Sequence, residues 1–109
     1  MSMIYVVNNA MHDYQNAERF GTIKYVTEGK VPIFKTDVVT KLLKDGLAEF
    51  TADDYILVSG PAWLDIIAAL ITFSKLNEVK FLVFDAKERM YIVRHLKKEL
   101  LGYHKEAIK

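Results

Sequence analysis

Apolar and polar positions along this chain switch between two periods, and the switches divide it into elements. Ile4-Tyr5-Val6-Val7 is an unbroken β-branched and aromatic run that stops at Asn8-Asn9, residues that favour turns, and it reads as a buried first strand. Ala10 to Gly21 is polar and reads as a loop with room for one helical turn. Thr22-Ile23-Lys24-Tyr25-Val26-Thr27 resumes strand propensity, and Glu28-Gly29-Lys30 ends it. Near Thr36 the period changes to that of a helix: Val38, Val39, Leu42, Leu43, Leu47 and Phe50 form one apolar stripe. Thr36 with Asp37 offers an N-cap and an acidic first turn, and Gly46 weakens or ends the helix.

A polar connection, Thr51 to Asp54, leads to a short strand Tyr55-Ile56-Leu57-Val58, bounded by Ser59-Gly60-Pro61. Pro61 suits the first turn of a second helix, where a missing N–H costs nothing. That helix carries Trp63, Leu64, Ile66, Ile67, Leu70, Ile71, Phe73 and Leu76, is apolar on nearly every side, and is expected to be largely buried. Val79 to Phe84 reads as a central parallel strand. Asp85 to Arg89 turns it into a hairpin with an edge strand Met90 to Arg94, and from Leu96 a short helix is expected, fraying into a charged tail from about residue 97. The expectation is an α/β fold: one small domain over 1–109, order β-β-α-β-α-β-β, with a mixed, mostly parallel sheet flanked by helices.

Composition narrows the function classes. The 109 residues suffice for one core, and hydrophobic residues at 51% argue against disorder. With 15 basic and 14 acidic residues the net charge is +1, too balanced for the phosphate neutralisation that duplex DNA binding demands. The absence of cysteine removes disulfides, thiolate chemistry and Cys-based zinc sites, and leans towards a cytoplasmic protein. The start lacks the pattern of a signal peptide, and Met3 is a second candidate for the native first residue. The longest apolar run, Ile66 to Ile71, is far below the roughly 20 residues that span a bilayer, so no membrane partner is expected.

In open α/β sheets, ligands bind outside the carboxyl ends of strands where the strand order reverses. Two segments qualify. Ser59-Gly60-Pro61 leads into a helix N-terminus suited to a phosphate or carboxylate, with Ser59 as an extra donor; the plainer reading is an N-cap at Ser59 and a tight turn at Gly60. The other is Asn8 to Gly21, from which Asn8, Asn9, His12, Asp13, Tyr14, Glu18, Arg19 and Phe20 are the candidate ligand-binding residues alongside Ser59 and Gly60. His12 offers acid–base chemistry near neutral pH, with Glu18 beside it if the protein is an enzyme; Arg19 offers a phosphate clamp, and Tyr14 or Phe20 a stacking surface. The plainer reading makes Glu18-Arg19 a surface ion pair, Asp13 an Asx cap and Phe20 a plug at the sheet end. A His-Asp metal site needs further ligands, and only His95 and His104 remain, so neither a metal nor another cofactor is expected. Ser59 lacks the preceding glycine of a nucleophile elbow. Asp65 is either a carboxylate facing the pocket or, as preferred here, a residue on the exposed stripe of its helix; Trp63 reads as core or interface.

The start Ile4 to Asn9, the run His12-Asp13…Ala17-Glu18-Arg19-Phe20-Gly21, Tyr25 to Gly29, and Asp54 to Gly60 with the apolar helix after it resemble a group of short phage- and prophage-associated proteins. That resemblance implies a phage context without an assigned activity. In size and organisation alone the chain is also similar to small viral α/β proteins that bind or degrade cyclic oligonucleotide signals of host defence.

The leading reading is a module binding a nucleotide-type anion such as a host signalling nucleotide; the alternatives are a phosphodiesterase or nuclease using His12, and a protein-interaction module, an inhibitor or assembly factor, in which the polar loop only shapes the surface. A homodimer is expected on physical grounds, since the domain is small, apolar and ends its sheet in an aromatic, β-branched strand.

Overall fold

The structure is a computed structural model that describes residues 2–10 and 12–102. His104 and the end of the charged tail, residues 103–109, lie outside the described residues.

Five strands form one sheet in the order β2-β1-β3-β4-β5. These are β1 (Met3–Asn9), β2 (Thr22–Glu28), β3 (Tyr55–Leu57), β4 (Glu78–Asp85) and β5 (Met90–Lys97). β1 pairs in parallel with β2 and β3, β3 in parallel with β4, and β4 antiparallel with β5. The sheet is therefore mixed and mostly parallel, as expected from the alternation of strand and helix patterns. Helices α1 (Thr36–Gly46) and α2 (Ala62–Phe73) follow β2 and β3. A 3-10 helix, Gln15–Phe20, lies between β1 and β2.

Side chains alternate across a strand, so each face of the sheet has its own core. Tyr5, Val7, Ile56 and Val79 face α1 and α2, where Val39, Leu43, Leu47, Leu64, Ile67 and Ala68 meet them. Ile4, Val6, Leu57, Leu82 and Tyr91 form the opposite face with Tyr14 and Ala17 of the 3-10 region, and Phe20, Ile23, Tyr55 and Val93 at its margin. The reason is topological. The chain steps one way from β1 to β2, then the other way from β2 through β3 to β4. Crossovers of one hand put the first connection on one face and the next two on the other. Both α-helices therefore share a face, and among the described residues the second is covered by a six-residue 3-10 helix.

Several boundaries differ from those read in the sequence. β1 continues through Asn8 and Asn9, because Asn8 is buried and its amide bonds across the sheet rather than to its own turn. Lys35, not Thr36, is the N-cap of α1, and no side chain caps that helix. Only one arc of the α1 stripe is core: Val39 and Leu43 are buried, whereas Val38 and Leu42 are exposed. α2 is likewise less buried than its composition predicts, with Trp63, Ile66 and Leu70 exposed. β5 runs on to Lys97 where a helix was expected from Leu96, and a 3-10 turn Lys98–Leu101 follows.

Candidate functional site

The strand order reverses between β1 and β3, and the two predicted segments meet there. The Asn8 N–H donates to Ser59 Oγ at 3.3 Å, and Ser59 Oγ donates to the Asn8 carbonyl at 3.1 Å. On its other side Asn8 Nδ2 donates to Thr27 Oγ1 at 2.9 Å and to the Gly29 carbonyl at 3.2 Å. Thr27 Oγ1 in turn donates to the Val7 carbonyl at 2.8 Å. Asn8 thus bolts the carboxyl ends of β2, β1 and β3 together. The neighbouring Asn9 carbonyl accepts the Gly29 N–H at 3.4 Å. Gly60 has φ +74°, and a Cβ there would stand 2.7 Å from Asn8 Cβ, so the turn after β3 needs glycine on both counts. Ser59 does not cap α2: Pro61 is the N-cap residue, without a side-chain hydrogen bond.

The polar loop is drawn onto the sheet. Asp13 Oδ1 accepts the Gln15 N–H at 2.9 Å, the turn-type contact that starts the 3-10 helix. Tyr14 is buried; its hydroxyl donates to the Asn8 carbonyl at 3.4 Å and accepts the Ala10 N–H at 3.2 Å. Arg19, the loop's only Lys or Arg, donates from Nη2 to the Tyr91 carbonyl at 3.2 Å. Its guanidinium lies 4.7 Å from the centre of the Phe20 ring, and Phe20 packs on Tyr55 at 5.7 Å. His12, Asp13 and Glu18 are exposed, and the His12 ring stands perpendicular to Tyr14 at 6.3 Å.

Sequence reasoning set Asp65 on the exposed stripe of α2; the structure turns it inward. It is half-buried, and its Oδ1 accepts the Ser59 N–H at 3.2 Å. Burial raises its carboxyl from 3.8 to about 7, against the lowering effect of that hydrogen bond. The signal lay in helix geometry: a residue one turn into a helix projects back over the preceding turn, which here is Ser59-Gly60-Pro61.

His95 belongs to the far end of the sheet, in register with Lys80 and Tyr55, and its Nδ1 meets Glu78 Oε2 at 2.5 Å. That contact holds the Glu78 carboxyl below its usual value. Among the described residues, no group of three or more His, Asp or Glu is arranged to hold a metal ion. No helix among them is long and apolar enough to cross a membrane.

A second feature lies on the helical face. A groove of about 370 Å³ runs between α1 and α2. Thr36, Thr40 and Lys44 line it from α1, and Trp63, Ile67, Leu70, Ile71 and Ser74 from the α2 side, and the surface they expose to it is mostly apolar. Beside it the outer surface of α2 presents Ala62, Trp63, Ile66 and Leu70, the last with 63% of its surface exposed. The sequence read Trp63 as core or interface; the structure leaves it exposed on the outer surface of α2, a side that an all-apolar helix does not mark in its sequence.

No curated protein and no solved structure matches the chain. A family model described as Phage Pam3 gp32-like protein matches residues 2–98, nearly the whole of it. The fold and its β1–β3 junction are thus those of a member of the Phage Pam3 gp32-like protein family, to which this chain belongs.

Proposed function

We propose that this phage-family chain is a protein-interaction module and that the outer face of α2 is its contact surface. One observation carries the reading. α2 has a single charged residue, Asp65, turned towards Ser59, and its solvent side bears Trp63, Ile66 and Leu70. A helix covering one face of a small domain ordinarily shows a polar outer side, and one that is apolar all round is ordinarily covered. The polar loop and the turn after β3 support the same view: Asn8 Nδ2 donates to Thr27 Oγ1 and the Gly29 carbonyl, the Tyr14 hydroxyl and Ser59 Oγ donate to the Asn8 carbonyl, and Arg19 Nη2 donates to the Tyr91 carbonyl. A photo-crosslinking residue in place of Ile66 tests it. Crosslinks to a polypeptide from position 66, and none from Lys87 in the β4–β5 turn, are expected. A protein that forms no polypeptide adduct from position 66, alone or in extract of infected cells, rejects the reading.

A second reading is a site for a nucleotide-type anion, such as a host signalling nucleotide, at the β1–β3 junction. It is favoured by the reversal of strand order there and by a first turn of α2 without a side-chain cap. His12, Glu18 and Asp13 would orient the ligand from the exposed side, with Asn9, Phe20 and Gly60 at its margins, and His12 would serve as acid or base if the ligand is turned over. Release of a nucleotide on denaturing the purified protein, or thermal stabilisation by one, would put this reading first. Loss of turnover in His12→Ala would make the protein an enzyme.

A further inference from the structure

We infer that the α2 face pairs two copies of this chain about a two-fold axis, with the α1–α2 layers packed face to face and the helices antiparallel. This rests on the reading of α2 as a contact surface and names its occupant.

The case begins with charge. A two-fold interface brings each surface against its own copy, so a like charge near the axis opposes itself. Ala62, Trp63, Ile66 and Leu70 carry no charge, and Asp65 is directed to Ser59. Two such faces meet without burying an ion. α1, at the side of this patch, is polarised: Asp37 lies in its first turn and Lys44 in its last, while Lys41 and Asp45 pair with each other at 3.3 Å. With the axis in the plane of the interface and across the helices, α1 lies over the partner's α1 running the other way. Asp37 then approaches the partner's Lys44, and the contact occurs twice. The helix dipoles are antiparallel in the same arrangement. A parallel pairing would set Asp37 against the partner's Asp37, or move α1 out of the contact.

In this arrangement each helix lies over its own copy, so Trp63, Ile66 and Leu70 of α2 meet the same apolar residues of the second copy across the axis. Helices of 11 and 12 residues give a patch about 18 Å long and about 20 Å wide. That is roughly 360 Å² in outline per copy, below the ~800 Å² per partner of a standard interface, so a weak dimer that dissociates in the micromolar range is expected.

Sedimentation of the whole chain from about 1 to about 200 micromolar tests the inference. A concentration-dependent dimer is expected, and Leu70→Arg should be monomeric across that range with its far-UV spectrum and melting temperature kept. Asp37→Lys and Lys44→Asp should each weaken the dimer by about threefold to tenfold, and the double exchange should restore it. A wild-type monomer throughout overturns the inference, as does a dimer that Leu70→Arg leaves intact. Singles that weaken the dimer without restoration in the double overturn the antiparallel register. A monomeric protein whose position 66 crosslinks to another polypeptide overturns the dimer and leaves the contact surface standing; no polypeptide crosslink at all removes both.

Discussion

Asn8 and Asp65 show how the same short turn sets opposite demands on two polar side chains. Asn8 is buried but has partners for its amide nitrogen in Thr27 and Gly29, so it ties strands together at little cost. Its close neighbour is Gly60, where a Cβ has no room. Gly60→Ala should therefore lower stability by about 1–3 kcal/mol, read from urea unfolding. Asp65 has one backbone donor and is held half-buried, which favours the protonated form. A carboxyl near 7 in the folded chain and near 3.8 in the unfolded one binds its proton more tightly when folded. Its contribution to stability is then greatest below about 3.8, falls as pH rises to about 7, and levels off above that. Glu78 acts in the opposite sense, since its lowered value stabilises the fold above the ordinary carboxylate range and is lost in acid. Comparing melting temperatures of wild type and Asp65→Asn from pH 4 to 8 isolates the first effect: the difference should move in favour of Asp65→Asn as pH rises. A constant difference would mean that Asp65 titrates normally.

α2 separates what the sequence makes legible from what it does not. Its existence and its start follow from Pro61 and the apolar run, but the helix ends at Phe73, one turn before the Leu76 that the run includes, with Ser74 as its C-cap. Its orientation does not follow, because periodicity carries information only when polar residues mark the outer side. Leu64 and Leu70 look alike in sequence, yet Leu64 is fully buried and Leu70 is more exposed than Trp63 or Ile66 beside it. Leu64→Ala should cost about 2–5 kcal/mol in unfolding free energy, whereas Leu70→Arg should change it by less than about 0.5 kcal/mol. α1 illustrates a related limit: Val38 and Val39 are adjacent apolar residues, but the helical turn gives the sheet only Val39. The hairpin β4–β5 was readable because Asp85 to Arg89 is a polar turn between two apolar runs; Asp85 Oδ1 accepts the N–H groups of Lys87 and Glu88. The polar loop was readable as unusual and not in its roles. Arg19 reaches the carbonyl of Tyr91, 72 residues away, and no local pattern announces such a partner.

Across the whole molecule, cover is unequal. β1 has a strand on both sides and a core on both faces, while β2 and β5 are edges. Amide exchange should follow that gradient, slowest in β1 and β3, faster in β5, and fastest in the Gln15–Phe20 helix, which lies on the surface of its face. Equal protection of that helix and β1 would mean that the second face is held more tightly than its thin cover implies. The position of β1 also constrains the order in which the chain can come together. Its second neighbour, β3, begins at Tyr55, and the strand beyond that, β4, begins at Glu78. A growing chain that has not reached Tyr55 holds a β1–β2 pair with one long apolar edge bare and no α2 to cover it. Synthesis of this protein therefore passes through a window in which its most buried strand is its most exposed liability, and the window closes only when the middle of the sequence arrives.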